Sequence, residues 1–292
     1  MGNVVLRIRL LGGFEVVAGE SVVPESAWRL RRAKSVLKLL ALAPDRRLHR
    51  EQVAEVLWPD RDQASAANNL RQALYVTRRA LDGAEPGAGR WLEARDGVLA
   101  LGAEPDVQVD VDAFEVAAAT ARERPTTEAC RRALDCYGGE LLPEDRYEEW
   151  TAARREALRE RHLTLLLTLS ELHWADGEGA EAIEALQRAI VEDPLHEAAH
   201  RGLMRLFAAA GRQQQALAQY QQLRQALQRE LAADPDPETR RLHRAILAGS
   251  VEPEPQSESA ARSIARLVLL HEDVEHVRER LLGDANPAVG DA

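Results

Sequence analysis

The chain has 292 residues, of which 45% are hydrophobic, and its formal net charge is −10. This length allows two domains, and the apolar fraction is enough to fill their cores. No uncharged apolar run of about 18 residues and no basic-then-apolar amino terminus occurs, so we expect a cytoplasmic protein without a membrane segment.

The amino terminus predicts a small antiparallel sheet. Apolar side chains alternate along residues 4–10, Gly12 and Gly13 interrupt the pattern, and two further apolar runs at 14–17 and 21–23 flank a turn at Ala18-Gly19. Short alternating runs bounded by turn residues are typical of strands in hairpins.

Two short helices come next. Residues 33–42 carry apolar side chains at helical spacing and stop at Pro44-Asp45, and a second helix is predicted from His49 to Trp58. A loop of about six residues, Pro59 to Ala64, would lead to a third helix. Two crossed helices followed by a third form the plan of a helix-turn-helix DNA-binding domain.

The third helix has one apolar and one polar face. At 100° per residue, Leu70, Leu74 and Leu81 share a face, and long polar side chains lie opposite. Arg, Asn and Gln present the forked donors and acceptors that match base edges in the major groove. An ordinary amphipathic surface helix would give the same pattern, so this helix alone does not decide between the two interpretations. The candidate DNA-facing residues are Asn68, Asn69, Arg71, Gln72, Tyr75, Arg78 and Arg79.

The local charge favours DNA binding. Residues 28–79 contain twelve Lys and Arg residues against five Asp and Glu residues, although the whole chain is acidic. Clustered cations are expected where a protein contacts phosphates. Lys34 and Arg50, on the first two helices, are the candidates for backbone phosphate contacts.

A hairpin follows the third helix. Asp96-Gly97 between apolar runs at 91–94 and 98–101 is a strong signal for a two-residue turn. A hairpin placed directly after a recognition helix is a wing. Arg95 at its turn could reach a minor groove or a phosphate, or could be an exposed arginine with no role.

From residue 104 onward the pattern is entirely helical. Apolar side chains recur at helical spacing in 151–174, 178–191, 196–210, 213–233 and 238–248. Small residues recur after 34 positions, as in Gly177 and Gly211 or Ala182 and Ala216. This period is that of tetratricopeptide helix pairs, which bind proteins more often than they catalyse reactions.

The sequence also contains one motif that is typical of enzymes. His196, Glu197 and His200 form the H-E-x-x-H spacing of zinc hydrolases, but no Asp, Glu or His follows until after Arg229, and a catalytic zinc needs a third protein ligand. Neither a P-loop nor a Gly-x-Ser-x-Gly elbow is present. Cys130 and Cys136 are expected to be reduced thiols. We therefore expect no catalytic residue, metal or cofactor.

Two further segments are predicted near the carboxy terminus. Residues 250–262 are rich in Glu, Pro and Ser and indicate a linker. Residues 263–282 carry apolar side chains at alternating steps of three and four, which predicts a short amphipathic helix that either pairs between protomers or docks on its own chain.

Several of these motifs together resemble the SARP family of antibiotic regulatory activators. They are LGGFEV at 11–16, LWPD at 57–60, AANNLRQAL at 66–74 and ALDCYGGELL at 133–142. The resemblance implies an OmpR-type winged helix at 1–103 and a bacterial transcriptional activator domain with tetratricopeptide-like repeats at 104–249. It also implies promoter direct repeats as targets, a homodimer at least on DNA, and recruitment of RNA polymerase through the loop containing Asp60, Arg61 and Asp62.

The sequence thus predicts a mainly α protein with an amino-terminal α+β winged helix-turn-helix domain and an all-α repeat domain. Its expected function is sequence-specific activation of transcription on double-stranded DNA. The alternatives are a helical-repeat interaction scaffold and a zinc hydrolase acting through the H-E-x-x-H residues.

Overall fold

The computed structural model describes residues 5–102 and 106–250, and the predicted linker beyond Ser250 and the predicted helix at 263–282 lie outside this range. The chain divides into two compact units. Residues up to Val116 together with 135–159 form the first, and residues 117–134 together with those from Glu160 onward form the second. None of the described helices has the length and apolar character needed to cross a membrane.

The first sheet of the first unit has four strands in the order β3-β2-β1-β7. These are β1 (Leu6–Arg9), β2 (Glu15–Ala18), β3 (Ser21–Val22) and β7 (Val107–Val109). The first three are antiparallel as predicted, whereas β7 pairs parallel to β1, with Leu6 opposite Val107. The prediction that the chain is entirely helical from residue 104 is therefore wrong at β7. A strand of three residues is too short for alternating apolar side chains to predict it from the sequence.

Three helices pack beside this sheet: α1 (Arg31–Leu42), α2 (Arg50–Leu57) and α3 (Gln63–Ala84). Asp62 caps α3, since its Oδ1 accepts a hydrogen bond from the Ser65 amide at 3.0 Å. The cap starts α3 earlier than the apolar pattern indicates, and Ala64 lies inside the helix. Five residues, Trp58 to Asp62, separate the two helices. The predicted loop Pro59 to Ala64 is therefore wrong at its end, because Gln63 and Ala64 belong to α3.

The second sheet has the order β4-β6-β5, from β4 (Arg47–His49), β5 (Leu92–Arg95) and β6 (Val98–Leu101). Strands β5 and β6 form the predicted hairpin. Asp96 and Gly97 both have positive φ angles, 51° and 80°, as a type I′ turn requires. Strand β4 was not predicted, because its outer residues are exposed and only Leu48 is half-buried.

The remaining helices are α4 (Asp110–Glu123), α5 (Thr127–Cys136), α6 (Glu149–Ala175), α7 (Gly179–Glu192), α8 (Glu197–Ala209), α9 (Gln213–Leu231) and α10 (Pro237–Leu247). The repeat of 34 residues is visible in the second unit. Gly177 and Gly211 adopt φ angles of 79° and 72°, and the amides that follow each donate 2.8 Å bonds to the carbonyls of His173 and Phe207. The predicted mainly α fold with an amino-terminal α+β part is confirmed.

The compact units do not divide at the predicted domain boundary near residue 103. Strand β7 adds to the first sheet, and residues 135–159 belong to the first unit. Within that unit, Leu11 and Leu141 form an antiparallel bridge, and the Leu142 amide donates to the Leu10 carbonyl at 2.9 Å. A downstream loop therefore completes the edge of the winged-helix unit.

Candidate nucleic-acid interface

The orientation of α3 is fixed by its buried face. Leu70 and Leu81 are buried, and Thr77 is fully buried between α1 and α3. The Thr77 hydroxyl donates to the Ala33 carbonyl of α1 at 3.0 Å, with the Ala73 carbonyl also within hydrogen-bond distance at 2.9 Å. Because a buried polar group needs its hydrogen bonds, this contact holds α3 in one rotation about its axis.

The opposite side of α3 faces solvent. The exposed candidates on it are Asn68, Arg71, Gln72, Tyr75 and Arg79. Tyr75 is 60% exposed, although tyrosine side chains are usually at least half-buried. The Arg79 guanidinium lies 5.9 Å from the centroid of the Tyr75 ring, and its Nη1 donates to the phenol oxygen at 3.4 Å. The two side chains therefore hold one another on the exposed face.

Arg78 has a different environment from Arg79. It is half-buried, and its Nε and Nη2 donate to the Leu92 carbonyl of β5 at 3.0 and 2.9 Å. This pair of bonds joins α3 to the first strand of the wing, so we assign Arg78 to positioning the wing. Asn69 is also half-buried. The helical pattern could not reveal either state, because both depend on what packs beside α3.

The structure brings Arg50 and the wing together. The Arg50 amide donates to the Gly97 carbonyl at 2.8 Å, and the His49 ring lies against Gly97. The Arg95 side chain is 88% exposed at the tip, with its Nε 3.6 Å from the Asp96 carboxylate. Arg50 and Arg95, which are 45 positions apart in sequence, thus lie on neighbouring elements. His49, absent from the predicted set, contacts the turn of the wing at Gly97.

Internal ion pairs reduce the positive charge of this region. Lys38 is buried and contacts Asp145 at 2.5 Å and Glu144 at 2.8 Å. Arg31 and Arg32 both contact Glu148, and Arg46 pairs with Asp112.

Lys34, a predicted phosphate contact, pairs with Glu25, and its side chain is only 19% exposed. The candidate DNA-contacting cations that remain exposed are Arg50, Arg71, Arg79 and Arg95.

The predicted polymerase-contacting loop is exposed at all three positions, Asp60, Arg61 and Asp62. The Arg61 amide donates to the Trp58 carbonyl at 3.1 Å, which closes a tight turn after α2. Asp62 also has a structural role as the α3 cap, and the hydrogen bonds from Ser65 lower the pKa of its carboxyl.

The H-E-x-x-H residues make hydrogen bonds within the second unit. His200 is buried; its Nε2 donates to the Pro194 carbonyl at 3.1 Å, and its Nδ1 accepts from the Gln219 amide at 2.6 Å. The His196 Nδ1 accepts from the Ala199 amide and caps α8. Glu197 accepts bonds from the Asp236 amide and the Thr239 hydroxyl. Both ring nitrogens of His200 are thus occupied, and this geometry does not suit a zinc ligand.

Comparisons with known proteins agree with this architecture. Residues 109–247 match the family model described as the bacterial transcriptional activator domain. Over 239 residues the chain is 28% identical to the regulatory protein AfsR of Streptomyces coelicolor. That match covers 77% of this chain but only 23% of AfsR, so the chain spans about a quarter of that relative's length.

A solved structure of Mycobacterium tuberculosis EmbR in complex with a low affinity phosphopeptide is also similar. The TM-score is 0.72, and the match covers 92% of this chain and 71% of the EmbR chain at 22% identity. At this identity the likeness shows a shared fold. It extends across both the winged-helix elements and the helical repeats.

Proposed function

We propose that this chain, a SARP-type transcriptional activator with a bacterial transcriptional activator domain at residues 109–247, binds double-stranded promoter DNA sequence-specifically through α3. The observation that carries the proposal is the exposed face of α3. It presents Gln72, Tyr75 and Arg79 to solvent, while Thr77 and the leucines fix the opposite face. Gln and Arg are suited to bidentate contacts with adenine and guanine.

The dimensions of α3 support this role. Its 22 residues span about 33 Å at a rise of 1.5 Å per residue, and only part of that length needs to enter a major groove about 12 Å wide. Arg50 at the start of α2 and Arg95 at the wing tip lie beside it on neighbouring elements. Such cations position a protein on the phosphate backbone without selecting a sequence.

Two finer proposals concern the assembly on DNA. Protomers would bind direct repeats side by side, as at least a homodimer on the promoter, and the turn at Asp60 and Arg61 would contact RNA polymerase. The exposure of that turn between α2 and α3 supports the second proposal. The helical repeats of the second unit offer a further protein-binding surface, because stacked helix pairs expose extended faces.

The DNA-binding proposal is tested by selection. The purified chain would be used to enrich fragments from random duplex DNA, in parallel with Gln72→Ala/Arg79→Ala and with a control, Gln187→Ala/Arg188→Ala, that removes the same exposed residue types from α7. We expect one sequence motif from the wild type and the control, and none from the α3 variant. Failure of the wild type to enrich any motif would contradict sequence-specific binding.

The polymerase proposal needs a separate readout. Asp60→Ala/Arg61→Ala should leave promoter affinity within about twofold and abolish stimulation of transcription in vitro. Asp62 is unsuitable as a test residue, since loss of an N-cap costs about 0.5 to 2 kcal/mol and would disturb α3 itself. Unchanged stimulation by the double variant would refute the contact.

A further inference from the structure

The outer side of α10, the last helix in the described part of the chain, carries a basic face. In α10, Arg240, Arg241 and Arg244 are exposed, whereas Thr239 and Ile246 on the other side are buried. Among the described residues none of these three guanidinium groups has a carboxylate partner; Arg244 Nε only donates to the Arg240 carbonyl of its own helix. The other arginines at the base of α10 differ, because Arg201 and Arg205 pair with Glu238.

Helix α9 extends this face. Tyr220 of α9 stacks on His243 of α10 with ring centroids 3.8 Å apart, and Gln213 donates to the Ile246 carbonyl at 2.7 Å. One turn beyond Tyr220, Arg224 is exposed. Burial, together with the positive charge of Arg224, lowers the pKa of His243. We name Arg224, Arg240, Arg241 and Arg244 the terminal arginine face.

The neighbourhood of this face in the sequence is unusual for an acidic chain. Residues 201–229 and 239–250 together contain eight arginines and no Asp or Glu, although the whole chain carries a net charge of −10. Four acids, Glu230, Asp234, Asp236 and Glu238, lie between these two stretches, and the last two of them pair with Arg201. Unpaired arginines on one side of a terminal helix create a positive potential there, and that potential favours an anionic partner.

The chain leaves α10 beside this face. Gly249 has a φ of 65°, and both the amide and the hydroxyl of Ser250 donate to the Ala245 carbonyl, at 3.0 and 3.3 Å. This terminal turn directs Ser250 back along the last turn of α10. The next nine residues, VEPEPQSES at 251–259, contain three glutamates and no basic residue.

We propose that the terminal arginine face binds the acidic start of the chain's own carboxy-terminal segment, at Glu252, Glu254 and Glu258. Three glutamates within seven residues of the sequence are complementary in charge to the four arginines of the face. Because the segment follows directly after α10, the face meets it at a high effective concentration.

The proposed contact can be tested by chemical cross-linking, because the chain contains almost no lysine. Lys34 and Lys38 are its only lysines, and both lie in the first unit. A carbodiimide joins a carboxylate to a lysine amine but not to an arginine. Arg240→Lys/Arg244→Lys therefore introduces the reactive amines at the proposed contact. The control, Arg188→Lys/Arg229→Lys, places the same amines at exposed positions on α7 and α9.

The full-length variants would be treated with carbodiimide as a mixture of ¹⁴N and ¹⁵N protein and mapped by mass spectrometry. We expect cross-links from positions 240 and 244 to the segment 251–259 that are at least fivefold more abundant than in the control. Each should join two peptides of the same isotope, since both come from one chain. At 1 M salt, where charges are screened beyond about 3 Å, the yield should fall. Equal yields in the two variants, or no cross-link to the segment, would overturn the proposal. Mixed-isotope pairs would overturn its assignment to the same chain.

Discussion

The buried contact between Lys38 and the loop before α6 should be among the strongest single determinants of stability in the first unit. The Lys38 side chain is 3% exposed, and its Nζ lies 2.5 Å from Asp145, which is itself 8% exposed. The Phe14 ring lies 4.6 Å from the same ammonium group. Lys38→Met would keep most of the volume and leave the Asp145 carboxylate buried without its main partner.

The magnitude follows from what remains around Asp145. Removing one member of a buried pair costs about 3 to 5 kcal/mol, because an uncompensated charge stays in the interior. Arg31 Nη2 lies 3.8 Å from Asp145 and compensates in part, and Glu144 is 41% exposed and can turn to water. We therefore expect a loss of about 3 kcal/mol, at the lower end of that range.

Lys38→Met/Asp145→Leu should recover most of this loss, since it replaces both charges with apolar groups.

Urea unfolding followed by tryptophan fluorescence measures this effect. Trp28, Trp58, Trp91 and Trp150 lie in the first unit, so a Trp174→Phe background reports on that unit alone. With a slope of about 1 to 3 kcal/mol per molar urea, the midpoint should fall by about 1 to 3 M. The control Arg9→Met breaks an exposed pair with Glu15 and should cost less than about 1 kcal/mol. A loss of that smaller size in Lys38→Met would refute the argument.

Three further predictions address other groups. Burial raises the pKa of Glu171 to about 7, and its Oε2 has no hydrogen-bond partner among the described residues. Between about pH 4.3 and 7 the folded state therefore binds a proton that the unfolded state has lost. The free energy of unfolding of the wild type, measured relative to Glu171→Gln by urea titration, should fall as the pH rises through this range. A difference between the two proteins that does not change with pH would contradict this. Arg78→Met should destabilise the first unit by about 1 to 3 kcal/mol, because both hydrogen bonds to the Leu92 carbonyl are lost. It should reduce the difference in affinity between operator and scrambled DNA less than Arg79→Ala does. Elemental analysis of the purified protein should find no stoichiometric zinc, and His200→Ala should leave DNA affinity unchanged; one tightly held zinc per chain would reverse this interpretation.

The long periodic helices were predictable from sequence to within a few residues. Helix α7 was expected at 178–191 and spans Gly179–Glu192, and its apolar spacing reflects burial of one side against its neighbours. The 34-residue repeat was predictable for a related reason, since Gly177 and Gly211 both supply the left-handed conformation that a tight helix end requires.

The short elements were not predictable. Strands β4 and β7 have three residues each, and their partners β6 and β1 are remote in sequence, so no local pattern distinguishes them from loops. The start of α3 was missed because its cap at Asp62 lies outside the apolar pattern. The first turn, Gln63 to Ala66, contains only Gln, Ser and Ala and no large apolar side chain that would mark a helical period.

The candidate interface was predictable as a face but not as a set of free side chains. The helical wheel of α3 separated Gln72 and Arg79 from the buried leucines correctly. It could not show that Arg78 is bound to Leu92, or that Lys34 is paired with Glu25. Those pairings depend on β5 and on the turn before α1, which are not part of the α3 pattern. A count of charges in the sequence includes every cation, whether or not an ion pair in the fold neutralises it.

Selection of a DNA sequence by α3 can be tested by comparing base contacts with backbone contacts in one titration. Gln72→Ala and Arg79→Ala would be measured with Arg50→Ala against the selected operator and a scrambled duplex at two salt concentrations. We expect each α3 variant to lose about 1 to 3 kcal/mol of discrimination between the duplexes. Arg50→Ala should weaken both alike and reduce the salt dependence by about one ion. Equal losses on both duplexes for Gln72→Ala and Arg79→Ala would contradict the assignment of this face.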